Sequence, residues 1–190
     1  MEKILLVTAS KKSADMLLDL INAGGWRPDL ILVAASCNEA RRKLIENNVD
    51  LILINAPLTD EFGHDFASYV CESTMAGVLM LVKAELAESV SERVEQEGVF
   101  VITKPISRPV FYQTLHLVNA SRMRIYTLQK ENRKLHQRLE DMRIINRAKC
   151  LLIAEAHMSE QEAHTYIEKR AMDHRETKRD TAEDIIRSFT

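Results

Sequence analysis

The sequence predicts an α/β fold: a parallel sheet of five strands alternating with helices, then one long coiled-coil helix, then a small three-helix all-α domain. Three observations predict it. Five short apolar runs, Ile4–Val7, Leu30–Val33, Leu51–Ile54, Val78–Val82 and Val99–Ile102, recur with helical patterns between them. Alternation of that kind builds a parallel sheet with helices on both faces. From Val110 to its end the chain has no Gly or Pro. Within that stretch the apolar spacing settles into a heptad and then breaks at two helix-start signals.

Each element has a local reason. The strand runs are almost continuously apolar, as expected of strands buried on both faces. Between the first two, Met16, Leu17, Leu20 and Ile21 mark the apolar face of a helix over Ser13–Ala23. Ser36 with Glu39 three positions later predicts a capping box at the next helix start. A third helix is expected after Gly63 and a fourth over about residues 86–96. In such a sheet, ligands and chemistry belong at the carboxyl ends of the strands.

After the sheet, Ser107 is placed as an N-cap with Pro109 in the first helical turn. Heptad positions a fall on Val118, Ile125, Asn132 and Leu139, and positions d on Ser121, Leu128, Leu135 and Met142. One asparagine at an a position sets register in parallel two-stranded coils. The pattern therefore predicts a parallel homodimer, with Ile125, Leu128, Asn132, Leu135 and Leu139 as its seam. A single long helix packed on its own domain is the alternative.

The tail then gives two start signals, Ser159 with Glu162 and Thr177 with Asp180. The three helices are expected to end near Ala156, near Asp173 and at the chain end. Ala148, Ala163, Ala171 and Ala182 fall on apolar faces and would let helices approach closely. The last helix carries Ile185, Ile186 and Phe189 on its apolar face. The domains are thus read as 1–118, a connector 119–142 and a tail 143–190.

Totals narrow the function. The chain has 190 residues and a net charge of −2. Residues 1–118 carry 11 Lys+Arg against 16 Asp+Glu, a balance of −5, and residues 119–190 carry 15 against 12, a balance of +3. An acidic front and a basic tail suit nucleic acid at the C-terminal end. Three widely spaced cysteines, Cys37, Cys71 and Cys150, suggest a reducing cytoplasm, with neither a disulfide framework nor a zinc site. The apolar runs are too short to span a bilayer, and the N-terminus has no signal-peptide pattern. No Gly-rich phosphate loop, metal-ligand cluster or nucleophile elbow occurs. An enzyme, a cofactor and a catalytic residue are therefore not expected.

Two resemblances sharpen this. The tail is similar to the ANTAR module, a three-helix RNA-binding domain of bacterial transcription antiterminators. The matching residues are Ile145, Ala148 and Lys149; Ser159, Glu162 and Ala163; Ala171, Met172 and Asp173; and Ala182, Ile185 and Ile186. Cys150 departs from the family's glycine. Residues 1–118 resemble a flavodoxin-like response-regulator receiver domain through D-L-I-L-I-N-A-P-L from Asp50, V-L-M-L-V from Val78 and V-I-T-K-P from Val101. The second resemblance places a degenerate phosphorylation site at Asn55, Lys104, Val82, Thr8, Ala9 and Ser10. Asn55 stands where a receiver has its phosphorylated aspartate. Thr8, Ala9 and Ser10 stand where it has its acidic pair, and Val82 replaces its switch hydroxyl. Only Lys104 remains, followed by Pro105 in a bond that is often cis in the family. A carboxamide is not an anionic nucleophile, and a hard divalent cation needs oxygen ligands, preferably charged. Asp60, nearby, cannot easily replace a pair.

The resemblances imply an antiterminator that binds leader-RNA stem-loops with hexanucleotide loops, so that an overlapping terminator hairpin does not form. They imply a pseudo-receiver controlled without phosphate, with a regulatory protein partner in its place. RNA binding needs cations for phosphates and flat groups for unpaired bases. The candidates are Lys149, Arg147, Arg143, Lys169, Arg170, Arg175, Lys178 and Arg179. Lys149 leads them because it falls in the family's Ala-Lys pair. Arg143 and Arg147 share a helix face, while Lys149 lies ~160° from Arg147. His174 and Tyr166 could stack on bases, but the apolar spacing assigns Tyr166 to the core. Two alternatives stay open: a DNA-binding, response-regulator-like transcription factor, and a dimeric protein-interaction scaffold.

Overall fold

Strands β1 (Lys3–Val7), β2 (Leu30–Ala34), β3 (Leu51–Asn55), β4 (Gly77–Lys83) and β5 (Phe100–Lys104) form one parallel sheet in the order β2-β1-β3-β4-β5. The computed structural model describes residues 3–189 and divides into two units, Met1–Thr127 and Leu128–Thr190. Because side chains alternate across a strand, the sheet splits its apolar residues between two cores. Leu5, Val7, Ile52, Ile54, Met80 and Val82 face helices α2 (Cys37–Glu46), α3 (His64–Ser73) and α4 (Ala87–Val94). Ile4, Leu6, Leu51, Leu53, Leu79 and Leu81 face α1 (Lys11–Ala23) and the start of α5 (Arg108–Glu155). This is the predicted flavodoxin-like α/β arrangement. Its strand order reverses at β1 and β3, which opens a crevice at their carboxyl ends.

The two edge strands depart from expectation: in β5 Phe100 and Val101 are half-buried, and β2 departs further. β2 was read as buried on both faces, yet Leu30, Ile31 and Leu32 are half-buried and Val33 is exposed. It lies at the edge of the sheet and pairs with β1 alone. The β-branched run reports strand formation, not position in the sheet.

The start of α2 also differs. Ser36 caps it, its Oγ accepting from the Glu39 N–H at 3.2 Å, but the reciprocal half of the box is missing. The Glu39 carboxylate instead accepts from the Ala35 N–H at 2.8 Å and pairs with Lys43 at 2.7 Å. The remaining donors of the first turn are met from a distant loop. Asp60 accepts from the Cys37 N–H at 3.0 Å and the Asn38 N–H at 2.9 Å. A helix N-terminus favours a negative charge. The Asn38 N–H, then those of Cys37 and Glu61, hold the Asp60 carboxyl below the usual carboxylate range.

Helix α5 begins as predicted after Ser107 and continues for 48 residues. Phe111, Leu115 and Val118 are buried against the sheet. Val118, at a heptad a position, packs instead over Gly77, where a Cβ would collide with its Cγ1. Arg122 bonds to the Asp50 carboxylate just before β3. Beyond these anchors, Ile125, Leu128, Leu135, Leu139 and Met142 are 48–59% exposed.

In the second unit, the end of α5 packs with α6 (Glu160–His174) and α7 (Lys178–Ser188). Ala148, Ala163 and Ala182 are wholly buried, with Leu152, Ile167 and Ile185 around them. Both predicted capping boxes are complete: Ser159 with Glu162, and Thr177 with Asp180. Phe189, expected on the apolar face of α7, is instead its 43% exposed C-cap residue.

Asp60 stabilises the folded state as an ionised carboxylate. Its contribution is present above the unfolded value of ~3.9 and is lost as pH falls through the lower folded value. Asp60→Ala is expected to lower stability at pH 7 by about 0.5–1 kcal/mol, the lower part of the range for a helix cap because the carboxylate is exposed and screened by solvent. The gap to the unaltered protein, read from urea unfolding, should close as pH drops below about 4. An unchanged gap in acid would contradict this role for Asp60.

Candidate nucleic-acid interface

At the end of β1 and β3 the crevice presents uncharged side chains. Thr8 is buried, and its Oγ1 accepts from Asn55 Nδ2 at 3.1 Å. Ala9 is exposed, and Ser10 is the N-cap of α1. Val82 is wholly buried and pairs in register with Thr103. Lys104 precedes a cis bond to Pro105, and its Nζ donates to the Ala56 carbonyl at 2.5 Å. Burial, then the nearby Lys83, lowers the pKa of Lys104. Asp60, in the loop after β3, has both carboxylate oxygens on the first turn of α2. Among the described residues, no group of three His, Cys, Asp or Glu side chains is placed to hold a metal ion.

The cations of the tail fall into two classes. Some tie helices together. Lys149 is largely buried, and its Nζ lies 3.4 Å from the Glu160 carboxylate at the start of α6. Lys178 bonds to Glu168, which joins α7 to α6. Arg179 reaches Asp141 on α5 at 2.8 Å and Glu183 on its own helix at 2.9 Å. Gln137 and then Arg179 lower the pKa of Asp141. Arg143 is exposed and pairs locally with Glu140 at 2.7 Å. The others, Arg147, Lys169, Arg170 and Arg175, make no ion pair with a carboxylate among the described residues.

Helix α6 brings two of these together with an aromatic ring. Its buried stripe is Ala163, Ile167 and Ala171. Tyr166 sits one residue off that stripe, about 100° around the helix, and is 39% exposed. The assignment of Tyr166 to the core is therefore corrected. Arg170, one turn on, places a guanidinium nitrogen 3.4 Å from the Tyr166 hydroxyl. Tyr166 and Lys169 stand between two hollows. One, of about 540 Å³, is lined by His157, Met158, Gln161 and Thr165. The other, of about 440 Å³, is lined by Arg170, Asp173 and His174. The i, i+3, i+4, i+7 spacing of Tyr166, Lys169, Arg170 and Asp173 is visible in the sequence. Which side of the stripe the ring would take is not.

Comparison with known proteins agrees with this division. The ANTAR domain model matches residues 133–186, which cover most of the second unit. The chain is 26% identical over 140 residues to the transcriptional regulatory protein PdtaR of Mycobacterium tuberculosis, covering 74% of this chain and 68% of that protein. A two-component response regulator from Clostridium difficile matches with a TM-score of 0.53 and 21% identity, covering 62% of this chain and 95% of that one. The chemotaxis response regulator CheY4 of Vibrio cholerae also gives a TM-score of 0.53, at 22% identity over 62% of this chain and 98% of its own. At those identities the solved structures establish the receiver fold alone.

Proposed function

Because this chain carries an ANTAR domain behind an N-terminal receiver-like domain, we propose that it is an antitermination regulator that binds leader-RNA stem-loops. By holding them it would keep an overlapping terminator hairpin from forming. The observation that carries this reading is the ANTAR match falling on three helices whose α6 presents Tyr166, Lys169 and Arg170 together. Cations without carboxylate partners can neutralise phosphates at little electrostatic loss. Lys169 and Arg170 are the first contacts, with Arg147 and Arg175 beside them in the role. Lys149, Lys178 and Arg179 support the site by holding α6 and α7, and Arg143 adds surface charge.

Two further parts belong to this reading. The seam Ile125, Leu128, Asn132, Leu135 and Leu139 would join two chains in parallel. Two tails could then grip adjacent stem-loops, which raises apparent affinity through effective concentration. The receiver-like domain would be controlled by a partner protein, without aspartyl phosphate. The crevice offers an amide and two hydroxyls where that chemistry needs carboxylates. A cytoplasmic regulator without catalytic activity fits this picture. Among the described residues, no helix is long and apolar enough to cross a membrane.

At fixed salt, the full chain should prefer a paired stem-loop RNA to duplex DNA of equal length. Lys169→Ala and Arg170→Ala should each weaken RNA binding several-fold and reduce the salt slope by about 1. Preference for DNA would favour a DNA-binding regulator instead, and no nucleic-acid affinity would favour a scaffold. Incubation with acetyl phosphate and magnesium should leave the intact mass unchanged. A stoichiometric phosphoryl adduct would overturn control without phosphate. Sedimentation at micromolar concentration should give a dimer, and Leu135→Asp with Leu139→Asp should give a folded monomer. A monomeric unaltered chain would remove the coil from the reading.

A further inference from the structure

We propose that Tyr166 is a wedge between two unpaired bases of the RNA loop, with one base entering each of the hollows on its two sides. The inference rests on the RNA-binding reading above and goes beyond it by assigning how the loop is held. Three features of the second unit carry it.

The ring is placed to be used. Tyr166 and Lys169 line both hollows, so they form the ridge between them. The phenol is not loose on this ridge, since Arg170 donates to its hydroxyl at 3.4 Å. An exposed aromatic ring offers a face to any base, and stacking on it does not depend on base identity. Both hollows fall within the ~300–1,000 Å³ range of small-ligand sites, ample for one base.

The charges say which part of the nucleic acid goes where. Lys169 on the ridge has no carboxylate partner among the described residues, so it is free to meet a phosphate between two splayed bases. The first hollow contains one acid, Glu162. Its carboxylate already accepts from the Ser159 N–H at 2.8 Å and the Ser159 hydroxyl at 2.7 Å. The second hollow contains Asp173, which makes no ion pair with a cation there. A carboxylate in that position repels a phosphate but accepts hydrogen bonds from a base edge that carries N–H donors. In the second hollow Asp173 is therefore the group that meets a base edge, and so the specificity-determining residue, while Lys169 and Arg170 meet the flanking phosphates.

The helix excludes a regular duplex as the ligand of this ridge. Paired bases are stacked on one another and present no face to a side chain, and the deep groove of an RNA helix does not admit one. A loop with unstacked bases is what the ridge can grip.

The test uses the full chain and a stem-loop RNA with a hexanucleotide loop carrying 2-aminopurine at each loop position in turn. With the unaltered protein, emission should be quenched at the two positions taken up beside the ring. Tyr166→Phe keeps the ring and should bind within about threefold of the unaltered protein. Tyr166→Leu keeps the bulk without the aromatic face. It should weaken binding about tenfold or more and abolish the quenching. Asp173→Asn should change which base is preferred at one loop position while leaving a loop-less duplex control unaffected. Equal binding and equal quenching by Tyr166→Leu and Tyr166→Phe would overturn the wedge. Failure of the unaltered chain to bind any stem-loop would overturn the RNA-binding reading itself, and the wedge with it.

Discussion

Helix α5 takes part in two hydrophobic cores, and most of the organisation of this chain depends on that constraint. Its first turns bury Phe111, Leu115 and Val118 under the sheet, and its last turns bury Ala148 and Leu152 against α6 and α7. Neither core uses Leu128, Leu135, Leu139 or Met142, which remain more than half exposed. An unbroken helix is possible because no Gly or Pro interrupts it after Pro109, and proline is tolerated within a first turn. The close approach over Gly77 and the bond from Arg122 to Asp50 fasten the helix where its packing on the sheet ends. Val118 is therefore the last residue of one core, and the exposed apolar heptad positions follow from Ile125.

The same economy governs charge. A basic tail suggests nucleic acid, but a count of cations does not locate a surface. Lys149, Lys178 and Arg179 each reach a carboxylate on another helix. The pairs are partly exposed, so each contributes modestly to stability. Their larger effect is geometric, because α6 and α7 are short and their placement sets where Tyr166, Lys169 and Arg170 point. Lys149, the leading candidate by resemblance, is paired with Glu160 at the start of α6. In the receiver-like unit Asp60 shows the same pattern, since both its carboxylate oxygens are taken up by the first turn of α2.

Local signals are legible in the sequence, and long-range ones are not. Ser159 with Glu162 and Thr177 with Asp180 form their boxes because both partners lie within one turn, where the backbone alone sets the distance. Ser36 with Glu39 has the same spacing but only half forms. Lys43 and the Ala35 N–H draw the Glu39 carboxylate aside, and Asp60 comes from more than twenty residues away to take two of the free donors. The edge position of β2 and the burial of Val118 were hidden for the same reason. Each depends on which strand or helix lies opposite, and that partner is distant in the chain.

The sequence by itself determined the alternation of strands and helices, the starts of α6 and α7, and the presence of Asn55, Thr8, Ala9 and Ser10 at strand ends where a carboxylate would be needed to take phosphate or metal. These follow from residue chemistry and short spacing, which need no knowledge of neighbours. The tertiary structure alone decided which cations are held by carboxylates and which are open. It also turned Tyr166 outward, because the stripe of Ala163, Ile167 and Ala171 is only wide enough to bury its own face. A helix carries every side chain on its surface, and only the helix packed against it determines which of them meet solvent.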